Sequence, residues 1–110
     1  MKAKAKTPHA VRQATLLALQ ADLTTRIISV KQELASHQNP DWEDQATERE
    51  DDEVLEARAA SAQLELRQTK AALTRLEDGT YGICAKCGTE IEDARLDALP
   101  YTPFCKNCAG

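Results

Sequence analysis

The chain is predicted to be mainly α-helical: a long antiparallel two-helix hairpin followed by a small four-cysteine, zinc-ribbon-like module. Three observations predict this. Apolar residues recur at intervals of three and four along two long stretches, a single Asn39-Pro40 break separates those stretches, and all four cysteines fall in the last 27 residues. With 110 residues there is room for one domain and a modest core, and one Trp, one Phe and two Tyr do not fill a broad one. Hydrophobic residues, largely Ala and Leu, make up 42% and charged residues 29%, a composition that favours helix over sheet.

The first nine residues, beginning MKAKAKT, are read as a flexible basic start. From Ala10 the first helix runs without Gly or Pro to Gln38, carrying Leu16, Leu19, Leu23, Ile27, Val30 and Leu34 on one face. At about 1.5 Å per residue this is a rod of roughly 40 Å. Proline lacks an N–H and disfavours a helical residue before it, so Asn39-Pro40 ends the rod.

A second helix is expected from Asp41 or Gln45 to Leu76, with Leu55, Ala59, Ala62, Leu66, Thr69, Leu73 and Leu76 forming a heptad seam. Two alanines mid-seam allow close approach. Gly79 supplies the left-handed residue that terminates such a helix. Two long helices joined by so short a turn fold back on each other, which sets the hairpin at 10–78 with its tip at 37–46. An intermolecular coiled coil is the alternative, but a hairpin that buries its own seam is expected to be monomeric.

The remaining segment, 79–110, holds Cys84-x-x-Cys87 and Cys105-x-x-Cys108, separated by 17 residues. Two such turns place four sulfurs on the corners of a tetrahedron, and one structural zinc ion is expected there. Disulfides or a thioredoxin-type redox pair are the competing readings. A reducing compartment disfavours the first, and the second accounts for one motif only. Four thiolates leave no coordination position for water, so the site is structural. His9 and His37 lie far from the cysteines in sequence and are poor ligand candidates.

Charge narrows the partners. The net charge is −4, which argues against phosphate-backbone binding and against sequence-specific contact with DNA. Residues 1–31 carry six basic residues against Asp22, whereas residues 41–56 carry nine acids against Arg49. No stretch has the roughly 18 apolar residues of a membrane span, and the start lacks a signal-peptide core, so the expected location is the cytoplasm. No phosphate loop, Ser-His-Asp set or spare nucleophilic cysteine is present, and the chain is not expected to be an enzyme.

The run YGICAKCGTEIEDARLDALPYTPFCKNC after a helical hairpin resembles the DksA/TraR family of bacterial RNA polymerase-binding proteins, with the likeness covering residues 10–108. Arg95, Leu96, Ala98 and Pro100 belong to that resemblance. So does Asp41-Trp42-Glu43-Asp44-Gln45-Ala46, which matches the family's Asp-x-x-Asp-x-Ala tip motif in spelling and position. The resemblance implies that the hairpin enters the secondary channel of RNA polymerase core or holoenzyme. It implies a working tip of Asp41, Asp44 and Ala46 that alters open-complex lifetime and initiation without sequence-specific DNA binding. Trp42 is counted with that tip, but it falls between the motif positions, as Glu43 does, and the resemblance does not account for either.

Asp41 is also a good helix N-cap, Asp44 can close a capping box with it, and Trp42 is suited to pack on the hairpin end. Capping and channel work are compatible. The family's basic residues for ppGpp, the alarmone of the stringent response, are replaced here. Leu99 stands where Arg is common, Ala109-Gly110 follow Cys108, and Ser61, Glu65 and Gln68 add little positive charge, so ppGpp synergy is expected to be weak or absent. A Gre-like transcript-cleavage factor, lending carboxylates to a second metal, and a zinc-ribbon adaptor are the alternative functions.

Overall fold

Two helices dominate the computed structural model, which describes residues 7–36 and 45–109, with side chains at 45–51 excepted. Helix α1 spans His9–Ser36 and helix α2 spans Gln45–Asp78. A six-residue helix, α3, spans Asp93–Ala98 within the cysteine segment. Of sheet there is a single antiparallel bridge, between Ile83 and Glu90, among the described residues.

Helices α1 and α2 run antiparallel, because His9 meets the Leu76 carbonyl at one end while Val30 and Leu55 share a groove further along. The predicted stripes supply the packing. Leu16 and Leu23 are wholly buried, Ile27 is nearly so, and Leu19, Val30 and Leu34 are half-buried. From α2 come Leu55, Ala59, Thr69 and Leu76, all buried. Each leucine so buried contributes about 2 kcal/mol of hydrophobic stabilisation. Ala72, outside the predicted seam, is also fully buried where it packs with Leu16 and Leu76. Its methyl group lets the helices approach closely at the base.

A threonine at a wholly buried seam position needs a partner for its hydroxyl. Thr69 donates it to the Glu65 carbonyl at 2.7 Å, one turn back, leaving only a methyl group to face α1. Helix α2 ends as its sequence requires. Gly79 adopts φ +83°, and the Thr80 N–H reaches back to the Arg75 carbonyl at 2.9 Å, the Schellman bond.

The molecule is a rod with a knob. Its extents are 68 × 28 × 23 Å and its radius of gyration is 18.6 Å, against roughly 13 Å for a compact chain of this length. Thr7 donates through its hydroxyl to Asp93 at 2.7 Å, and the Pro8 carbonyl accepts from Val11 and Arg12 to open α1. The tip residues Asp41, Trp42 and Asp44 lie outside the described residues, as does the side chain of Ala46 in the first turn of α2. No helix among the described residues is long and apolar enough to cross a membrane.

Candidate metal centre

Each pair of cysteines sits on a turn built from backbone hydrogen bonds. In the first, Gly88 N–H donates to the Cys84 carbonyl at 2.9 Å, and Cys84 N–H donates to the Thr89 carbonyl at 2.8 Å. Gly88 takes φ +78°, a conformation that a side chain would strain. In the second, the N–H groups of Cys108 and Ala109 both donate to the Cys105 carbonyl, at 3.0 and 3.1 Å. A bond of 2.8 Å from Ala85 N–H to the Pro103 carbonyl ties the two turns together.

These turns bring the four sulfurs within 4.8 Å of one another. No disulfide joins them, and Cys87 Sγ lies 3.7 Å from Cys105 Sγ. A tetrahedron of sulfurs about 2.3 Å from zinc has edges of about 3.8 Å, whereas a disulfide needs about 2.05 Å. The spacing therefore fits a metal ion and not a covalent bridge.

The four thiols do not share one electrostatic environment. Burial pushes the Cys84 thiol up, but backbone N–H groups of Cys105, Cys87 and Lys86 outweigh it and bring the thiol down to about 6. One of these is the Lys86 N–H, 3.4 Å from the sulfur. Cys105 is likewise lowered against its own burial by bonds from Cys108 and the Asn107 N–H. Cys108 pays for its neighbours: hydrogen bonds with Cys105 and Cys87 hold its proton, and its thiol is pushed up to about 12. A metal ion held here takes its cysteine ligands as thiolates.

A small core supports the centre. Cys84, Ile91, Leu96 and Cys105 are buried together, with Tyr81 and Phe104 packed against them. Leu96 comes from α3, which lies between the two cysteine turns where a ribbon of strands would place a hairpin. Arg95 Nε donates to the Phe104 carbonyl at 2.9 Å, which fixes the approach to Cys105. His9 takes no part: its Nε2 lies 3.2 Å from the Leu76 carbonyl.

The module is joined to the hairpin base by contacts that sequence periodicity did not reveal. Arg12, only 5% exposed, meets Asp93 at 2.6 Å and Asp97 at 2.8 Å, one turn apart on α3. It also donates to the Asp93 carbonyl and the Thr7 hydroxyl, both at 3.2 Å. Burial lowers the Arg12 pKa, but its bonds to the two carboxylates win and raise it. From α2, Arg75 donates to the Tyr101 carbonyl at 3.1 Å, and the Tyr81 hydroxyl donates to the Pro100 carbonyl at 2.7 Å. Tyr81 packs in both the hairpin core and the cysteine core. The only sequence signal for Arg12 was an arginine one turn before Leu16, on the apolar face.

Comparison with known proteins follows the same division of the chain. Residues 13–76 match the family model described as DnaK suppressor protein-like, N-terminal domain, and residues 79–110 match the prokaryotic dksA/traR C4-type zinc finger. An uncharacterized protein of Aquifex aeolicus is 42% identical over 69 residues, 63% of this chain and 48% of that one. The RNA polymerase-binding transcription factor DksA of Caulobacter vibrioides is 36% identical over 80 residues, 67% of this chain and 56% of that one. The chain thus spans about half the length of these relatives. Transcription factor DksA2 from Pseudomonas aeruginosa superposes with a TM-score of 0.82 at 26% identity, covering 90% of this chain and 78% of that one. The DnaK suppressor protein of Agrobacterium tumefaciens gives 0.65 at 39% identity, covering 99% and 97%.

Proposed function

The chain belongs to the DksA/TraR family, and from that premise we propose that it binds bacterial RNA polymerase through the secondary channel and regulates initiation. The observation that carries this reading is the shape of the molecule: two paired helices of 28 and 34 residues, roughly 40–50 Å long, project from a module anchored at one end only. Such a rod reaches down a pore that excludes a globule, while the knob rests on the rim. The Caulobacter relative named above is described as RNA polymerase-binding, which supports polymerase as the owner of that pore.

In this reading the working groups are Asp41 and Asp44, with Ala46 and Trp42 shaping the tip. Carboxylates carried into a catalytic centre contact basic residues or perturb bound metal by charge-assisted hydrogen bonds. Open complexes are thereby stabilised or shortened, and no DNA sequence is read. The role is regulatory and not enzymatic, and it is exercised in the cytoplasm where the polymerase works.

Zinc bound to Cys84, Cys87, Cys105 and Cys108 supplies a structural crosslink with no open coordination position. The residues themselves hold the two turns together and present α3 to Arg12. Synergy with ppGpp is weak or absent in this proposal, because Leu99 stands where Arg is common in the family and Ser61, Glu65 and Gln68 add little positive charge.

Asp44→Asn tests the mechanism. The variant is expected to co-purify with polymerase core as the parent does and to lose the effect on open-complex lifetime. Unchanged transcription with Asp41 and Asp44 both replaced by Asn removes the tip mechanism, and failure of the parent to bind core removes the channel reading itself.

A further inference from the structure

Helix α1 carries a second stripe, on the side turned away from α2. Ala10, Ala14, Leu17, Ala21, Thr24 and Ile28 follow one another at spacings of 4, 3, 4, 3 and 4, and every one is exposed. Leu17 and Ile28 are about half exposed, at 49% and 52%, although each is a residue that helices normally bury. The inner seam satisfies the hairpin without them.

Two further observations make this face more apolar than its composition. Thr24 donates its hydroxyl to the Gln20 carbonyl at 2.8 Å and so turns its polar atom back onto the helix. Asp22 and Arg26, the exposed charges between His9 and Val30, bond to each other at 2.7 Å. In a chain of net charge −4, the outer side of α1 is neutral over five turns.

We propose that this face pairs with the same face of a second copy, in an antiparallel α1–α1 contact. The register follows from side-chain size. Setting Leu17 against Ala21 of the second copy also sets Ile28 against Ala10 and Ala14 against Thr24, by the same twofold. Each large side chain then meets a small one, as close helix packing requires. A parallel pairing sets Leu17 on Leu17 and Ala14 on Ala14, leaving clashes and gaps.

Charge selects the same direction. In sequence, α1 is preceded by Lys2, Lys4 and Lys6 and followed by residues 41–56 with nine acids and one base, and antiparallel pairing sets the start of one α1 beside the end of the other. The contact runs about 28 Å along one helix face and covers roughly 1,000 Å² in total, at the low end for a specific interface. The dimer is therefore reversible, with dissociation in the micromolar range. The expectation of a monomer rested on the inner seam alone.

Sedimentation equilibrium on the zinc-loaded full chain tests this. The parent is expected to pass from monomer to dimer across micromolar concentrations. Combined Leu17→Glu and Ile28→Glu is expected to stay monomeric with unchanged helicity and zinc content. Ala14→Lys and Thr24→Glu are each expected to weaken pairing about tenfold, and their combination to recover it, since the two positions meet only between copies. A parent monomeric at every concentration overturns the proposal, and a double charge variant that stays weak overturns the antiparallel register. Footprinting that protects Leu17 and Ile28 only in the polymerase complex reassigns the face to that partner.

Discussion

At the scale of single residues, Arg12 holds the junction. It is a buried guanidinium between two carboxylates of a helix 81 residues away in sequence. Removing it leaves Asp93 and Asp97 without their cation in a partly covered site, and Arg12→Met is expected to cost about 2 kcal/mol, less than a fully buried pair because Asp97 remains largely exposed. Urea denaturation midpoints measure it. Acid titration tests the same cluster. The Asp93 carboxyl is held down to about 2, from its ordinary 3.8, by hydrogen bonds from Thr7 and Arg12. A carboxylate whose pKa is lowered on folding contributes stability that is present above about 4 and is lost as pH falls toward 2. Asp93→Asn is expected to flatten that part of the acid-unfolding curve followed by circular dichroism. None of this was legible in the sequence, because local spacing identifies a helix face and says nothing about a partner so far along the chain.

At the scale of elements, the two faces of α1 make a controlled comparison. Leu23 is fully buried and Leu17 half exposed on the same helix. Leu23→Ala is expected to cost about 3 kcal/mol, and Leu17→Ala at low protein concentration less than about 0.5 kcal/mol, both read from denaturation midpoints. Both long helices were legible in sequence because each has four or more turns of consistent apolar spacing and a clear stop. The end at Gly79 could be read because a left-handed residue there leaves few choices of side chain. Helix α3 was not legible: six residues are too few to show a period, and it forms because Leu96 has a core to enter and Asp93 and Asp97 share one cation. The cysteine turns were visible in the paired Cys-x-x-Cys spacing. The N–H groups that set the balance of the thiols were not, since backbone direction has no residue code.

At the scale of the whole molecule, the hairpin and the cysteine module rest on different forces. The helices share a seam of leucines and alanines, while the module's own core is four buried residues that include two of the cysteines. A small core of that kind depends on its metal. Chelation is expected to release one zinc per chain and to collapse the dispersion of amide resonances from residues 80–109, while most far-UV helicity persists. Loss of the long-helix signal in step with the metal would show that the module also holds the hairpin closed.

The junction has a mechanical consequence. Arg12, Arg75 and Tyr81 grip the module at one end of a helix pair whose longer member is about 50 Å long, so the hairpin is a lever with its fulcrum at these three side chains. A tilt of about 5° at the fulcrum sweeps the far end of such an arm through about 4 Å, more than the reach of a hydrogen bond. Orientation of the hairpin's far end is therefore governed at the opposite pole, and slack in one arginine is magnified into a displacement of several ångströms there.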